Sequence, residues 1–434
     1  MTDPTAPPAP ALPSEADVVI VGAGLAGLAC ARRLRGRNLN VVLIDAAEAV
    51  GGRVRTEMVN GFRCDRGFQL LNPGYPEVAR ILDLASLRLQ DFPAAVVVAI
   101  GNGRRTLADP RRCPRLIPRM AGSLLHGGLG SLREQATFAR WALNTTRKPV
   151  PVLRAEPDTG WGQALSAQGI DGALRDRVIQ PFLTGVLGEN DGSSSHRFTQ
   201  LLVRSFLRGT PALPWRGMQA VPEQLAAGLP GLQLGITAES VRPGRVRTTA
   251  GEITARWVVV ATDPQSAARM LQLPAVTMRP LTTFWHVSPE PPTRSGALHV
   301  DGDHRGPVVN SIVISNRAKS YSPDDRSLIA TTVLGSAGDQ ATERAALTQL
   351  EKVYGGSTRW WELMRRHVLP DALTAVPVPL PARLPVTLAD GLAIAGDHRD
   401  TASIQGALVS GRRAADAVLA GLGLPVYARE PLRA

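Results

Sequence analysis

The sequence predicts an α/β protein, a parallel-sheet domain combined with a second, α+β domain, and three observations predict it. Near the start, the apolar run 17–21 feeds the turn Gly22-Ala23-Gly24-Leu25-Ala26-Gly27 and then a helical pattern through Arg35, with Leu28, Ala31 and Leu34 on one face. A second apolar run, 41–44, closes on an acid, Asp45. Near the other end, Leu392-Ala393-Ile394-Ala395 closes on Gly396-Asp397, ahead of Ser403-Ile404-Gln405-Gly406-Ala407 and a helical pattern to Leu419. With 434 residues the chain exceeds what one hydrophobic core organises, so two domains are expected, and they can be interleaved.

Taken in order, residues 1–15 are rich in Pro and Ala and have neither a basic start nor an apolar core, so they read as a disordered tail rather than an export signal. The strand, glycine turn and helix that follow form a Rossmann-type nucleotide unit. Gly22 permits the tight turn, Gly24 lets the backbone approach a pyrophosphate, and Gly27 lets the helix pack closely on the strand. The helix N-terminus then meets the negative charge. Asp45 stands where a carboxylate accepts hydrogen bonds from adenosine ribose hydroxyls. On these residues alone, NAD and FAD both remain as ligands.

After Asp45 come Ala46-Ala47-Glu48-Ala49-Val50-Gly51-Gly52-Arg53-Val54 and then Gly61, followed by Asp65-Arg66-Gly67. Here the chain resembles the flavin-containing amine oxidase superfamily, which includes phytoene desaturases and protoporphyrinogen oxidases. The resemblance implies FAD, held non-covalently. It implies that Gly22, Ala23, Gly24, Leu25, Ala26 and Gly27 wrap the diphosphate, that Asp45 and Ala46 lie at the ribose, and that Gly52, Arg53 and Val54 form an arm along the diphosphate. It further implies that Gly396 and Asp397 serve the ribityl or diphosphate region and that Ser403, Ile404 and Ala407 lie at the flavin. Val241 would belong to the strand that contacts adenine, and Ala261 to the one that closes the sheet.

These blocks lie far apart, so the FAD domain is expected to be discontinuous, from 16–75, 212–274 and 387–424. The remainder, 76–211 and 275–386, is left for a substrate domain. Its first part reads mostly helical with Pro and Gly breaks. The second carries strand-like runs at 308–315 and 328–334 and a helical pattern at 340–354.

Composition narrows the function classes. Apolar residues at 44% and charged ones at 20% exclude a disordered chain, and no run of eighteen apolar residues marks a membrane span. Cys30, Cys64 and Cys113 have no metal-ligand spacing and cannot all pair, which fits a reducing compartment, the cytoplasm by default. The net charge of +12 is almost wholly arginine, and nucleic acid is not the expected partner. The segment 104–148 holds ten basic residues against Asp109 and Glu134, or +8 of that +12. Its cations alternate with apolar side chains, which suits either peripheral docking on an anionic membrane or a solvated arginine-rich face.

In this superfamily the flavin takes hydride, so side-chain signals for chemistry are sparse. The stretch Met278-Arg279-Pro280-Leu281-Thr282-Thr283-Phe284-Trp285-His286 has no lysine where amine oxidases commonly place one. The residues before Gly396 supply no aromatic cage for an amine. Both departures favour desaturation of a hydrophobic substrate, of isoprenoid or tetrapyrrole type, with oxygen or a quinone as acceptor. Amine oxidation and a non-redox isomerisation on reduced FAD are the alternatives. Gln69 and Arg216 are candidates to stabilise a reduced flavin, and His398 is a candidate to shuttle protons.

Overall fold

A computed structural model describes residues 12–426 apart from 382. The expected tail lies mostly outside these residues, and Glu15 already opens the first strand, Glu15–Val21.

Two large sheets organise the chain. In the first, Val41–Asp45, Glu15–Val21, Gly251–Val260 and Leu392–Ile394 run side by side and parallel, with Leu232–Leu234 parallel at one edge. The long strand Gly251–Val260 does two jobs. Its second half pairs with Glu15–Val21, while its first half pairs antiparallel with Arg245–Thr248, which in turn pairs with Ala238–Arg242. The central strands are continuous apolar runs because both of their faces are covered. Val18, Ile20, Leu43, Val259 and Ala393 pack with the helices Leu25–Leu34 and Ile404–Gly421. Their alternates Val19, Val21, Val42, Ile44, Val258 and Val260 face Val246, Ile253 and the helix Pro264–Leu271. The first and last helices of this layer lie close together because Gly411 has no side chain; a Cβ there would overlap the Ala26 carbonyl.

The second sheet has seven strands in the order Glu362–Thr374, Met278–Ser288, Ser327–Leu334, Val308–Val313, Leu298–Asp301, Ala95–Ile100 and Gly103–Ala108. Phe284, Ile329 and Val333 on one face pack against Ala346, Leu350 and Val353 of the helix Gln340–Tyr354. The opposite face, with Leu281 and Ile312, lines a cavity roofed by the helices Leu132–Arg147, Gln180–Leu187 and His196–Arg208.

The hairpin Ala95–Ile100/Gly103–Ala108 departs from the helical reading of residues 76–211. Its cause is local. The β-branched run Val96-Val97-Val98 meets a turn in which Gly101 takes a φ of 55°, and the pair extends the second sheet by parallel pairing with Leu298–Asp301.

Candidate cofactor site and the cavity beside it

The glycine turn divides its work between closeness and access. A Cβ on Gly22, whose φ is 108°, would stand 2.6 Å from the Ala261 carbonyl oxygen, and one on Gly27 would overlap the Gly22 carbonyl. Gly22 thus lets the turn lie against the end of the strand Gly251–Val260, and Gly27 lets the helix touch the turn. Gly24 differs: it caps the helix Leu25–Leu34, no atom of the described residues lies within 4 Å of where its Cβ would be, and it lines the cavity. The space in front of this helix N-terminus is therefore open to an anion.

Asp45 ends its strand with both carboxylate oxygens engaged. Oδ2 accepts from the Ala23 amide at 2.6 Å and Oδ1 from the Ala47 amide at 2.8 Å. Each oxygen keeps a lone pair for a ligand hydroxyl, and Asp45, Ala46 and Ala47 all line the cavity. The Gly51-Gly52-Arg53 arm folds back over the turn: the Gly51 amide donates to the Ala23 carbonyl at 2.9 Å, and a Cβ on Gly52 would be 3.5 Å from the Gly24 Cα.

Arg53 leaves this arm to meet the far end of the chain. Its Nη2 is 2.5 Å from Asp397 Oδ1, and Thr374 Oγ1 donates to Asp397 Oδ2 at 3.1 Å. Burial pushes the Asp397 carboxyl up, but the guanidinium and these hydrogen bonds hold it below the usual carboxylate range. Gly396 precedes it with an extended backbone whose amide donates to Ser410 Oγ at 2.9 Å. Ser403 caps the helix Ile404–Gly421 by accepting from the Gly406 amide at 3.2 Å, and Ser403, Ile404 and Ala407 line the same cavity.

Gln69 lies where the arm meets the turn at Gly67. Its Nε2 donates to the carbonyls of Arg53 at 2.9 Å and Arg66 at 2.8 Å, and its buried Oε1 has no partner among the described residues. Asp65 anchors that turn from beneath. It accepts from Thr56 Oγ1 at 2.5 Å, from the Tyr321 hydroxyl at 2.7 Å and from the Met218 amide at 3.1 Å. Burial raises its carboxyl to about 6 in spite of those hydrogen bonds.

Among the expected site residues, Gly22, Gly24, Leu25, Ala26, Asp45, Ala46, Gly52, Arg53, Val54, Gln69, Ala261, Gly396, Asp397, Ser403, Ile404 and Ala407 border one cavity of about 1540 Å³. Ala23 contributes its amide to Asp45, and Gly27 acts through packing. Three expectations differ. Val241 is buried in the core, and Ile236, Thr237 and Ala238 border the cavity in its place, because the cavity meets the chain where it enters the strand Ala238–Arg242. Arg216 points outward from the turn closed by Gly217 and pairs with Glu223 at 3.3 Å, while the next residue, Met218, is the one that reaches Asp65. His398 is tucked behind Gly396 and does not border the cavity; burial lowers its imidazole to about 4, so it is neutral at pH 7.

Beyond the nucleotide-binding strands the cavity continues between Phe138, Phe182, Leu183, Val186, Phe206 and Ile312. Sequence reasoning missed the polar members of this wall, Thr283, Asn310 and Thr332, and the contribution of Asp371 and Thr374 from the strand Glu362–Thr374. No motif marks them; they converge only through strand pairing.

The family model described as flavin containing amine oxidoreductase matches residues 25–419. Hydroxysqualene dehydroxylase of Rhodopseudomonas palustris is 25% identical over 93% of this chain and 98% of its own length. Protoporphyrinogen oxidase 2 of Arabidopsis thaliana is 44% identical over 77 residues, a segment that spans 18% of this chain and 15% of that relative. Among solved structures, an oxidoreductase from Methanosarcina mazei superposes with a TM-score of 0.72 at 14% identity, covering 91% of this chain and 98% of the other. That likeness is one of fold.

Proposed function

We propose, from the premise that this chain belongs to the flavin-containing amine oxidoreductase family and is an FAD-dependent oxidoreductase, that it takes hydride from a hydrophobic small molecule of the isoprenoid or tetrapyrrole class. Oxygen or a quinone then receives the electrons. The observation that carries this reading is the chemistry of the cavity wall on the helical side. It is built mainly from Phe, Leu, Val and Ile side chains with Trp141, Gln135 and Thr199 among them, and the carboxylate bordering it there, Asp109, is held by Arg111 at 2.7 Å. A cationic amine would meet no free negative charge on that side, whereas an apolar molecule gains by leaving water.

Bound FAD supplies the hydride acceptor. The residues of the chain bind, orient and exclude water. The helix N-terminus at Gly24 and the guanidinium of Arg53 favour a diphosphate, Asp45 suits ribose hydroxyls, and the capped N-terminus at Ile404 favours negative charge developing nearby. Gln69, fixed through its amide nitrogen, presents Oε1 as an acceptor beside the cavity. The apolar wall keeps water from the reacting carbon.

A docking face adjoins this cavity. Pro110 and Arg111 border it and are exposed, and next to them the helix Ile117–Leu125 carries exposed Ile117, Arg119 and Leu124, with exposed Arg115 in the turn before it. Leu132 and Leu143 are exposed on the following helix. Exposed apolar groups among arginines support attachment to an anionic membrane from which a lipid-soluble substrate enters. Among the described residues no helix is long and apolar enough to cross a membrane.

Anaerobic mixing of the FAD-loaded protein with carotenoid precursors, porphyrinogens, polyamines and arylalkylamines tests the reaction. Bleaching of the flavin by a member of the first two groups is the expected result. Rapid bleaching by simple amines would overturn it, and a product of unchanged mass but altered geometry would point to isomerisation.

A further inference from the structure

The cavity wall given by the second sheet carries polar side chains in two places: Asp371 and Thr374 on the edge strand Glu362–Thr374, and one row on the three strands next to it. Thr283 pairs with Thr332, and Thr332 with Asn310, across three adjacent strands. Residues directly opposite in a sheet share a face, here the one that bears Leu281 and Ile312, and all five border the cavity. The row starts beside the turn at Gly67, where a Cβ would stand 4.0 Å from the Thr283 hydroxyl. It ends at the helix Gln180–Leu187, where Gly185 leaves room for the Asn310 amide; a Cβ there would overlap its nitrogen.

Asn310 and Thr332 are 4% and 3% exposed, and among the described residues neither Asn310 Oδ1 nor Thr332 Oγ1 has a hydrogen-bond partner. Leaving both unpaired costs stability, since buried polar groups in folded proteins are nearly always answered. The same two strands satisfy their polar groups on the other face, where Ser311 lies 3.0 Å from Thr331 Oγ1 and accepts from the Tyr354 hydroxyl at 2.9 Å. The unanswered pair is confined to the cavity side.

We infer that Asn310 and Thr332 form a specificity-determining pair that reads one hydroxyl group on an otherwise apolar substrate. A hydroxyl donates to the Asn310 carbonyl oxygen and accepts from the Thr332 hydroxyl, so one group answers both. A ketone or ether answers only Thr332, and a hydrocarbon answers neither. An ammonium can donate to both oxygens, but it leaves the Thr332 hydroxyl proton without an acceptor and brings a charge against apolar neighbours. The inference rests on the apolar reading of the cavity given above and narrows it to a lipid-like alcohol.

The test uses the full-length, FAD-loaded protein with two probes, 1-dodecanol and dodecane, carried in cyclodextrin and followed by the change in flavin absorption. The wild type is expected to bind the alcohol about tenfold more tightly than the alkane. Thr332→Val and Asn310→Leu should bring that ratio close to one while keeping dodecane binding, and Thr332→Ser should retain it. Equal affinity of the wild type for the two probes overturns the inference, whatever the variants do. So does a ratio unchanged in both Thr332→Val and Asn310→Leu. If neither probe binds the wild type, the apolar reading of the cavity fails first and takes this inference with it.

Discussion

Arg53 and Asp397, 344 positions apart, meet at 2.5 Å and tie the arm after the first nucleotide strands to the turn before the last helix. Asp397 is almost wholly buried, so its charge depends on this partner. Asp397→Asn is expected to weaken FAD binding by about 100-fold, roughly 3 kcal/mol. Titration of deflavinated protein by flavin fluorescence measures it. An unchanged affinity would remove the pair from the cofactor site.

The two glycines of the first turn make opposite predictions. Gly24→Ala places its Cβ in open space, so the fold should tolerate it, while the approach to a pyrophosphate is obstructed. Gly27→Ala drives a Cβ into the Gly22 carbonyl and should cost more than about 2 kcal/mol of stability. Melting temperature and FAD affinity, read for both variants, separate the roles.

Asp65 gives a dependence on pH whose sign is fixed. Its carboxyl is raised from the ordinary value of 3.8 to about 6 in the folded protein, so between those values the folded state binds more protons than the unfolded one. Its contribution is largest below pH 4, falls as the pH rises through that window and is constant above it. The melting temperature of wild type minus that of Asp65→Asn should therefore decline from pH 4 to pH 7. A flat difference would contradict the buried, raised carboxyl.

The membrane face predicts a change in partition. Replacing Arg115 and Arg119 with Ser should weaken sedimentation with anionic liposomes by roughly 30-fold, at about 1 kcal/mol for each cation near the surface. Neutral liposomes should show little difference. Equal sedimentation of wild type and variant with anionic vesicles would remove the docking face.

The α/β class and the FAD turn were legible because their signals are local: an apolar run, glycines at fixed offsets and a terminal acid each depend on neighbours in sequence. Asp65 was visible only as part of a motif. Its role as an anchor requires Thr56, Met218 and Tyr321, which three separate segments deliver. Asn310 and Thr332 carried no signal, since strand register rather than spacing puts them side by side. Arg216 misled in the other direction. Its cation suggested a role at a reduced flavin, while the structural contact belongs to the backbone amide of Met218.

The strand Glu15–Val21 has Val41–Asp45 on one side and Gly251–Val260 on the other, and the next neighbour outward is Leu392–Ile394. A ribosome making this chain releases the glycine turn early and the strand and helix that complete its layer some 370 residues later. Pairings so remote in sequence form slowly. Until residues 392–421 emerge, Arg53 lacks Asp397 and the nascent apolar strands lack their cover, which exposes them to chaperones and to aggregation. The yellow of captured flavin would thus mark chains translated through that last helix.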